Sequence, residues 1–221
     1  MDTAAEGRQH GRVPILTALC RVDRLQPDAG SVGVTAIDKR PADGPLTVRK
    51  LGVHGDVQAN RVHHGGPDKA VYAFADEDAA HFGELLGYPV TPGLFGENLR
   101  TAGLDVTGAV LGERWRVGEA LVLEVTMPRT PCATFQRRLR EPRWVARFQQ
   151  EGRPGAYLRV VTPGAIAAGD EITVLDRPGH GVTIGACFAG LSAEQAQALL
   201  SSPVRLGAPV TKVARAAVAR G

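Results

Sequence analysis

The sequence predicts a mainly β protein, built as a closed or nearly closed β-barrel with a few short helices and a small helical subdomain at the C-terminal end. Many short apolar runs alternate with loops rich in glycine and proline, which is typical of strands. Only two brief helical patterns interrupt these runs before residue 177. A closed sheet has no exposed edges, so a chain of many short strands favours a barrel.

The length of 221 residues is enough for one large β domain and an appendage. We expect a flexible lead-in over residues 1–13, the barrel domain over residues 14–177 and the helical subdomain over residues 182–221. The boundary is a glycine- and proline-containing linker, beyond which the composition becomes rich in alanine.

Strands are predicted where apolar residues alternate or cluster between turn signals. The predicted strand ranges are 15–22, 32–37, 46–53, 69–75, 110–117, 119–127, 157–161 and 171–175. Helices are predicted where apolar residues recur on one face. The predicted helix ranges are 76–86, 142–152, 192–200 and 211–219. Ser192 and Gln195 have the spacing of a capping box at the start of the third helix.

The segment after strand 119–127 presents a cysteine on a stiffened loop. Pro128 has no N–H for a strand ladder, and Pro131 restricts the backbone just before Cys132. Arg129 lies three residues away, and a nearby cation lowers a thiol pKa. The thiolate is both a nucleophile and a soft-metal ligand. The alternative is a buried structural cysteine, since free cysteine is among the most buried residue types.

Charge and cysteine content exclude several classes of protein. The formal net charge of +3 favours small anionic ligands, but the basic residues form no nucleic-acid-binding pattern. The three cysteines, Cys20, Cys132 and Cys187, are widely spaced. They indicate neither a disulfide framework nor an iron–sulfur cluster. No stretch reaches transmembrane length and no apolar signal core begins the chain, so we expect a cytoplasmic protein without a membrane partner.

Two basic stretches are candidate anion sites. Gly65 and Gly66 follow His64 and allow successive backbone N–H groups to form a nest for an anion, while Lys69 adds a positive charge. The alternative is an ordinary tight turn before a strand.

A second candidate for phosphate binding is the pair Lys39-Arg40, through charge-assisted hydrogen bonds. The alternative for this pair is a solvated surface position.

Glu97 and Asn98 follow a glycine that permits close approach of a ligand. Their carboxylate and amide groups have the donors and acceptors needed to bind the edge of a heterocycle. The alternative is a cluster of hydrogen bonds that closes the loop. The spacing alone does not rank these two hypotheses.

Several motifs occur in an order that resembles the MOSC domain family, named for the C-terminal domain of molybdenum cofactor sulfurases. The resemblance runs from about residue 37 to residue 177, and the helical tail is similar to that of the short bacterial members. The motifs are Gly55-Asp56-x-Gln58-Ala59, His64-Gly65-Gly66-x-x-Lys69-Ala70, Phe95-Gly96-Glu97-Asn98-Leu99, Gly118, Pro128-Arg129-x-Pro131-Cys132, Tyr157-Leu158-x-Val160 and Gly164-x-Ile166-x-x-Gly169-Asp170.

The resemblance implies a MOSC-type barrel that binds molybdenum cofactor, an anionic pterin dithiolene carrying a phosphate or a nucleotide. It implies that Cys132 either binds molybdenum or carries a persulfide sulfur. Related members reduce small N-hydroxylated compounds. The chain has no cysteine cluster for an iron–sulfur centre, so an external electron donor protein is expected.

These inferences combine into one set of roles. Cys132 is the expected metal ligand. The residues expected to hold cofactor phosphate are Lys39, Arg40, Lys69 and Arg129, with a backbone cradle at His64, Gly65 and Gly66. Glu97 and Asn98 are expected to orient the pterin or the substrate. The expected proton donor is Glu97, His64 or Asp56, and the residues do not choose among these three.

Two other functions remain open. One is a carrier that passes persulfide sulfur or the cofactor to another enzyme. The other is a metal-free enzyme acting on a sulfur- or nitrogen-containing metabolite. The alanine-rich tail forms either a homodimer contact or a cover over the barrel mouth, and the sequence does not decide between them.

Overall fold

The computed structural model describes residues 13–59 and 65–221. The strands in this part of the chain are β1 (Ile15–Val22), β2 (Gln26–Pro27), β3 (Val34–Thr35), β4 (Lys39–Pro41), β5 (Leu46–Arg49), β6 (Gly52–Val53), β7 (Val71–Ala75), β8 (Leu99–Ala102), β9 (Arg114–Val117), β10 (Leu121–Pro128), β11 (Ala156–Thr162), β12 (Gly164–Ile166) and β13 (Ile172–Asp176). The helices are α1 (Asp76–Leu86), α2 (Ala133–Leu139), α3 (Trp144–Glu151), α4 (Ile184–Ala189), α5 (Ala193–Ser201) and α6 (Ala208–Val218).

The main sheet has eight strands in the order β13-β9-β10-β11-β7-β8-β1-β4. Its pairs are antiparallel except β7 and β8, which run parallel. Helix α1 connects these two strands, because parallel neighbours need a crossover. A second sheet joins β12, β5 and β6, and the hairpin of β2 and β3 forms a separate two-stranded sheet.

The predicted closure into a barrel is not confirmed. The main sheet ends at β13 on one side and β4 on the other. Close to these edges, an isolated bridge pairs Ile15 with Glu171, and Leu16 N–H donates to the Asp170 carbonyl at 2.8 Å. The fold is therefore a mixed, sheet-dominated structure with several helices.

Two hydrophobic clusters lie within the fold. The larger contains apolar side chains of the main sheet, including Leu16, Trp115 and Leu123, together with buried residues of the C-terminal helices such as Leu199 and Val210. The smaller is aromatic and joins β7, α1, α2 and α3. The sheet thus has buried side chains on more than one face, and helices cover part of it.

Local sequence signals account for the elements that match the prediction best. Strand β1 and helix α1 have the predicted bounds. Helix α1 begins with three acidic residues and ends at Gly87, whose positive φ allows its N–H to donate to the Gly83 carbonyl. The capping box of α5 is confirmed, with Ser192 and Gln195 bonded reciprocally.

Several elements differ from the prediction. The predicted strand 32–37 is reduced to β3, and the predicted strand 46–53 is split into β5 and β6. Helices α2 and α4 were not predicted, because each has only six or seven residues and no acidic first turn. Strand β10 is buried at Glu124 and Thr126 as well as at its apolar positions, so its second face is also covered.

Within the described ranges, no helix combines the length and the apolar character needed to cross a membrane.

Gly93→Ala tests how closely the loop before β8 packs on β4. Gly93 has φ +86°, and an added Cβ would lie 2.3 Å from the Lys39 carbonyl oxygen. We expect the substitution to lower the free energy of unfolding by more than about 2 kcal/mol, because left-handed strain alone costs about 1–2 kcal/mol. Urea denaturation measures this change.

Gly87→Ala is the matched control, since Gly87 has φ +77° and open space around the added Cβ. Only the backbone strain is expected there. An equal decrease in the free energy of unfolding in the two variants would contradict the close packing inferred at Gly93.

Candidate functional site

A cavity of about 560 Å³ lies beside the end of β10. Its lining comes from the β2–β3 hairpin, β4, residues 57–59, the start of β7, the loop before β8, residues 129–134 and β11. Five residues predicted for the site line this cavity: Lys39, Lys69, Asn98, Arg129 and Cys132. The fold therefore brings together residues that are up to 93 positions apart in the sequence.

Cys132 reaches the cavity because the chain leaves the sheet just before it. Pro128 is the last residue of β10, and Cys132 is the extended residue immediately before α2. The side chain is partly exposed. The two other cysteines are buried, and desolvation raises the pKa of Cys20 to about 12 and that of Cys187 to about 11. These two remain thiols near neutral pH, whereas Cys132 is accessible to a ligand.

Arg129 carries a buried positive charge at the cavity. The residue is only 5% exposed, and its guanidinium carbon lies 3.7 Å from the centre of the Phe135 ring. Its Nη1 is buried and makes no hydrogen bond within the part of the chain that the structure describes. An unpaired buried N–H donor is costly. Arg129 is also one of the residues that line the cavity.

Lys39 lies at the cavity in a compact polar cluster. Its Nζ lies 2.6 Å from Asp56 Oδ2, which also accepts a hydrogen bond from Asn98 Nδ2 at 2.9 Å. The other carboxylate oxygen of Asp56 accepts from the Val22 N–H at 2.8 Å. Because both charged side chains are less than 10% exposed, this cluster fixes the position of Lys39.

Asn98 also binds two backbone groups. Its Oδ1 accepts from the Tyr72 N–H, and its Nδ2 donates to the Cys20 carbonyl, both at 3.2 Å. These contacts connect β1, β7 and the loop before β8. Asn98 lines the cavity, but its side-chain amide forms hydrogen bonds with other protein groups. We therefore infer that Asn98 stabilises the cavity wall.

Lys69 ends a short 3₁₀ turn, Pro67–Lys69, directly before β7. Its Nζ lies 5.7 Å from the centre of the Tyr157 ring, within the range of a cation–π contact. Partial burial lowers the pKa of Lys69, because desolvation disfavours the charged form. A bound anion would counteract this effect.

Glu97 does not line the cavity. It is fully buried, forms an ion pair with Arg100, and accepts hydrogen bonds from the N–H groups of Gly93 at 2.7 Å and Phe95 at 3.1 Å. Of the two hypotheses drawn from the sequence, these contacts match the loop-closing cluster.

Arg40, Gly65 and Gly66 are also outside the cavity lining. The Arg40 side chain is largely exposed, with its Nε 3.8 Å from Asp38. Gly65 and Gly66 precede the 3₁₀ turn and do not contribute to the lining. His64 lies outside the described residues.

The β2–β3 hairpin is part of the site that the sequence did not reveal. Asp28 in its turn accepts two hydrogen bonds from Arg137, at 2.8 and 2.7 Å, and one from Thr134 at 2.9 Å. Asp38, after the hairpin, is bound by Arg138 and by Gln26. Because Arg137 and Arg138 lie 109 and 100 positions from the aspartates they bind, the signal in the sequence was the arginine-rich character of residues 137–143.

No group of three or more His, Cys, Asp or Glu side chains suited to a metal ion occurs within ranges 13–59 and 65–221. Cys132 is thus the candidate protein ligand for a soft metal among the cavity residues.

Residues 60–173 match the MOSC domain. The chain belongs to the MOSC domain family. It is 36% identical to YflK of Bacillus subtilis over 150 residues, covering 68% of this chain and 67% of YflK. It is 35% identical to YiiM of Escherichia coli over 147 residues, covering 65% of each protein.

A fungal protein named "Reductase", from Gibberella moniliformis, is 35% identical over 164 residues. The match covers 72% of this chain but only 29% of that longer protein. This MOSC protein therefore corresponds to one part of the fungal relative.

Solved structures also support a YiiM-type MOSC protein. YiiM from Geobacillus stearothermophilus has a TM-score of 0.75 and 25% identity, covering 93% of this chain and 99% of that structure. YiiM from Escherichia coli has a TM-score of 0.68 and 25% identity, covering 82% of this chain and 89% of that structure. The family predicted from the motifs is therefore confirmed.

Asp28→Asn tests the attachment of the hairpin. The Arg137 guanidinium lowers the pKa of Asp28 to about 2. A carboxylate whose pKa is depressed by folding stabilises the protein above its unfolded pKa of about 3.9, and this contribution disappears as pH falls through the folded value. We expect the difference in unfolding free energy between the wild type and the variant to be constant above about pH 5. It should shrink towards zero near pH 2.

Urea denaturation at several pH values measures this difference. If the difference in unfolding free energy between wild type and variant is the same at pH 2 as at pH 7, the charge of Asp28 does not stabilise the attachment of the hairpin.

Proposed function

We propose that this MOSC protein binds molybdenum cofactor and is an oxidoreductase that reduces N-hydroxylated compounds. The observation that carries the proposal is the partly exposed Cys132 thiol in the same cavity as the buried, incompletely bonded guanidinium of Arg129. A soft ligand and a positive charge within one cavity suit an anionic metal cofactor.

The residues present fit such a cofactor. Its phosphate and dithiolene groups are anionic, and four cationic side chains line the cavity, namely Lys39, Lys69, Arg129 and Arg137, the last of which is bound to Asp28. The unsatisfied Nη1 of Arg129 requires an acceptor that the described residues do not supply. Thiolate sulfur is a preferred ligand of soft metals, which gives Cys132 its role.

The chain's own residues would act mainly by binding and orienting. When bound, the cofactor supplies the two-electron redox chemistry, and the protein adjusts it through ligand identity and position. Arg129 and Lys69 would hold anionic groups, while the Asp56 cluster keeps Lys39 fixed. The hairpin, attached through Asp28, forms one side of the cavity.

Reduction of an N–OH group to an amine consumes two electrons and two protons and releases water. Glu97 is bonded to Arg100, and Asp56 is bonded to Lys39 and Asn98, so neither is assigned to proton delivery. His64 remains a candidate. The electrons would come from an external electron donor protein, and the fungal relative named "Reductase" supports a redox reaction.

Cys132→Ser tests the metal ligand. Loss of a partner outside the coordination sphere already costs about 10–100-fold in metal affinity or activity, so loss of the ligand itself should cost at least about 100-fold. We expect a folded protein that has lost molybdenum and N-hydroxylamine reduction. The measurements are elemental analysis and turnover of protein made in a host that synthesises the cofactor.

Cys187→Ala is the control for this experiment, because Cys187 is buried in the apolar core. It should retain molybdenum and turnover. Full reductase turnover by Cys132→Ser would rule out the assignment.

Intact mass spectrometry of the wild-type protein separates the alternative functions. A stable extra sulfur on Cys132 without molybdenum would favour the persulfide carrier. If the wild-type protein carries no extra sulfur and no molybdenum, the result would favour a metal-free enzyme.

Arg129→Met tests the anion site. Methionine retains much of the apolar stem but removes the charge. Hydrogen bonds to charged groups contribute about 1.5–3 kcal/mol, so the affinity of cofactor-free protein for pyrophosphate should fall by about 10–100-fold. The midpoint of thermal unfolding should stay the same or rise, because an imperfectly bonded buried charge is removed.

Arg116→Met is the matched control, since Arg116 is exposed on β9 and does not line the cavity. It should leave pyrophosphate affinity nearly unchanged. Unchanged affinity in Arg129→Met, measured by isothermal titration calorimetry, would contradict the proposed anion site.

A further inference from the structure

The cavity lining combines polar and cationic side chains with apolar ones. Its aromatic members are Tyr72, Phe95 and Tyr157. An aliphatic set consists of Val32, Val34, Ala36, Ile37 and Val57. Most of this aliphatic set belongs to the β2–β3 hairpin and the residues that follow it. A ligand that only carried negative charge would leave these aliphatic side chains without a partner.

The two hairpin valines that line the cavity are partly exposed to solvent. Val32 is 44% exposed and Val34 is 41% exposed, and both line the cavity. Val57, from the segment after β6, is exposed to a similar extent. Apolar surface that faces a cavity becomes more stable when an apolar group covers it.

The position of this aliphatic surface relative to Cys132 is fixed by charged contacts. A hairpin with two residues in each strand is not stable by itself. It is held by Arg137, which binds Asp28, and by Arg138, which binds Asp38. Both arginines belong to α2, the helix that begins directly after Cys132. The hairpin and the thiol are therefore attached to the same helix.

We propose that Val32 and Val34 determine substrate specificity by contacting the apolar body of the substrate. This inference rests on the proposed function. The substrate class is N-hydroxylated compounds with an uncharged aromatic or branched aliphatic group, rather than small hydrophilic hydroxylamines. The apolar group lies against the hairpin valines while the N–OH group reaches the Cys132 side of the cavity.

The test compares two substrates that share the reactive group. N-phenylhydroxylamine carries an aromatic ring, and hydroxylamine does not. In the double variant Val32→Ser/Val34→Ser, kcat/KM of the cofactor-loaded protein for N-phenylhydroxylamine should fall about tenfold. The value for hydroxylamine should stay within about twofold, because removing apolar contact from a pocket costs about 10–200-fold only for the ligand that uses it.

A binding measurement on cofactor-free protein separates this inference from the proposed function. Phenylphosphonate and methylphosphonate share an anionic group and differ in the apolar part. Wild-type protein should bind phenylphosphonate about tenfold more tightly, and the double variant should lose this preference. Suppose that wild-type protein prefers phenylphosphonate but reduces neither N-phenylhydroxylamine nor hydroxylamine. The role of Val32 and Val34 in ligand binding would then be supported, and the proposed reductase function would be wrong.

Val213→Ser is the matched control, since Val213 is 43% exposed on α6 and does not line the cavity. It should change neither kcat/KM nor phosphonate affinity. The inference is overturned if wild-type protein shows no preference for the phenyl compounds. It is also overturned if the double variant retains that preference while circular dichroism shows that it is folded.

Discussion

The arrangement of the cavity depends on the hydrogen bonds and the ion pair made by the carboxylate of Asp56. It receives hydrogen bonds from Val22 in β1 and from Asn98 before β8, and it pairs with Lys39 in β4. A buried carboxylate is costly unless donors surround it, so these three segments must meet in one arrangement. The same arrangement places Asn98 against β7 and fixes one cationic side chain at the cavity.

The cavity holds cations in two different states. Lys39 is neutralised by Asp56, whereas Arg129 rests on the Phe135 ring, and its Nη1 has no hydrogen-bond partner among residues 13–59 and 65–221. Stacking on an aromatic face stabilises a guanidinium without neutralising its charge. The protein thereby retains an attractive group for an anion within a well-packed aromatic cluster. Such retained, unsatisfied groups are typical of sites where function limits stability.

Sequence reasoning succeeded where the determining interactions are local. Strand β1 and helix α1 follow from short-range patterns of apolar residues and caps. Contacts that depend on distant segments were not accessible. The Asp28–Arg137 pair spans 109 positions, and barrel closure depends on whether two distant strand edges meet along their length. The motif did not decide whether Glu97 contacts a ligand or closes its loop, because its burial and its ion pair with Arg100 depend on how the loop folds.

The separate sheet formed by the hairpin has an evolutionary consequence. β2 and β3 pair only with each other, and side chains of α2 hold them in place. A relative could therefore lengthen, shorten or replace this segment without altering the register of the eight-stranded sheet. Diversification of ligand preference would then proceed through one exchangeable loop, while the thiol and its surrounding cations are inherited unchanged.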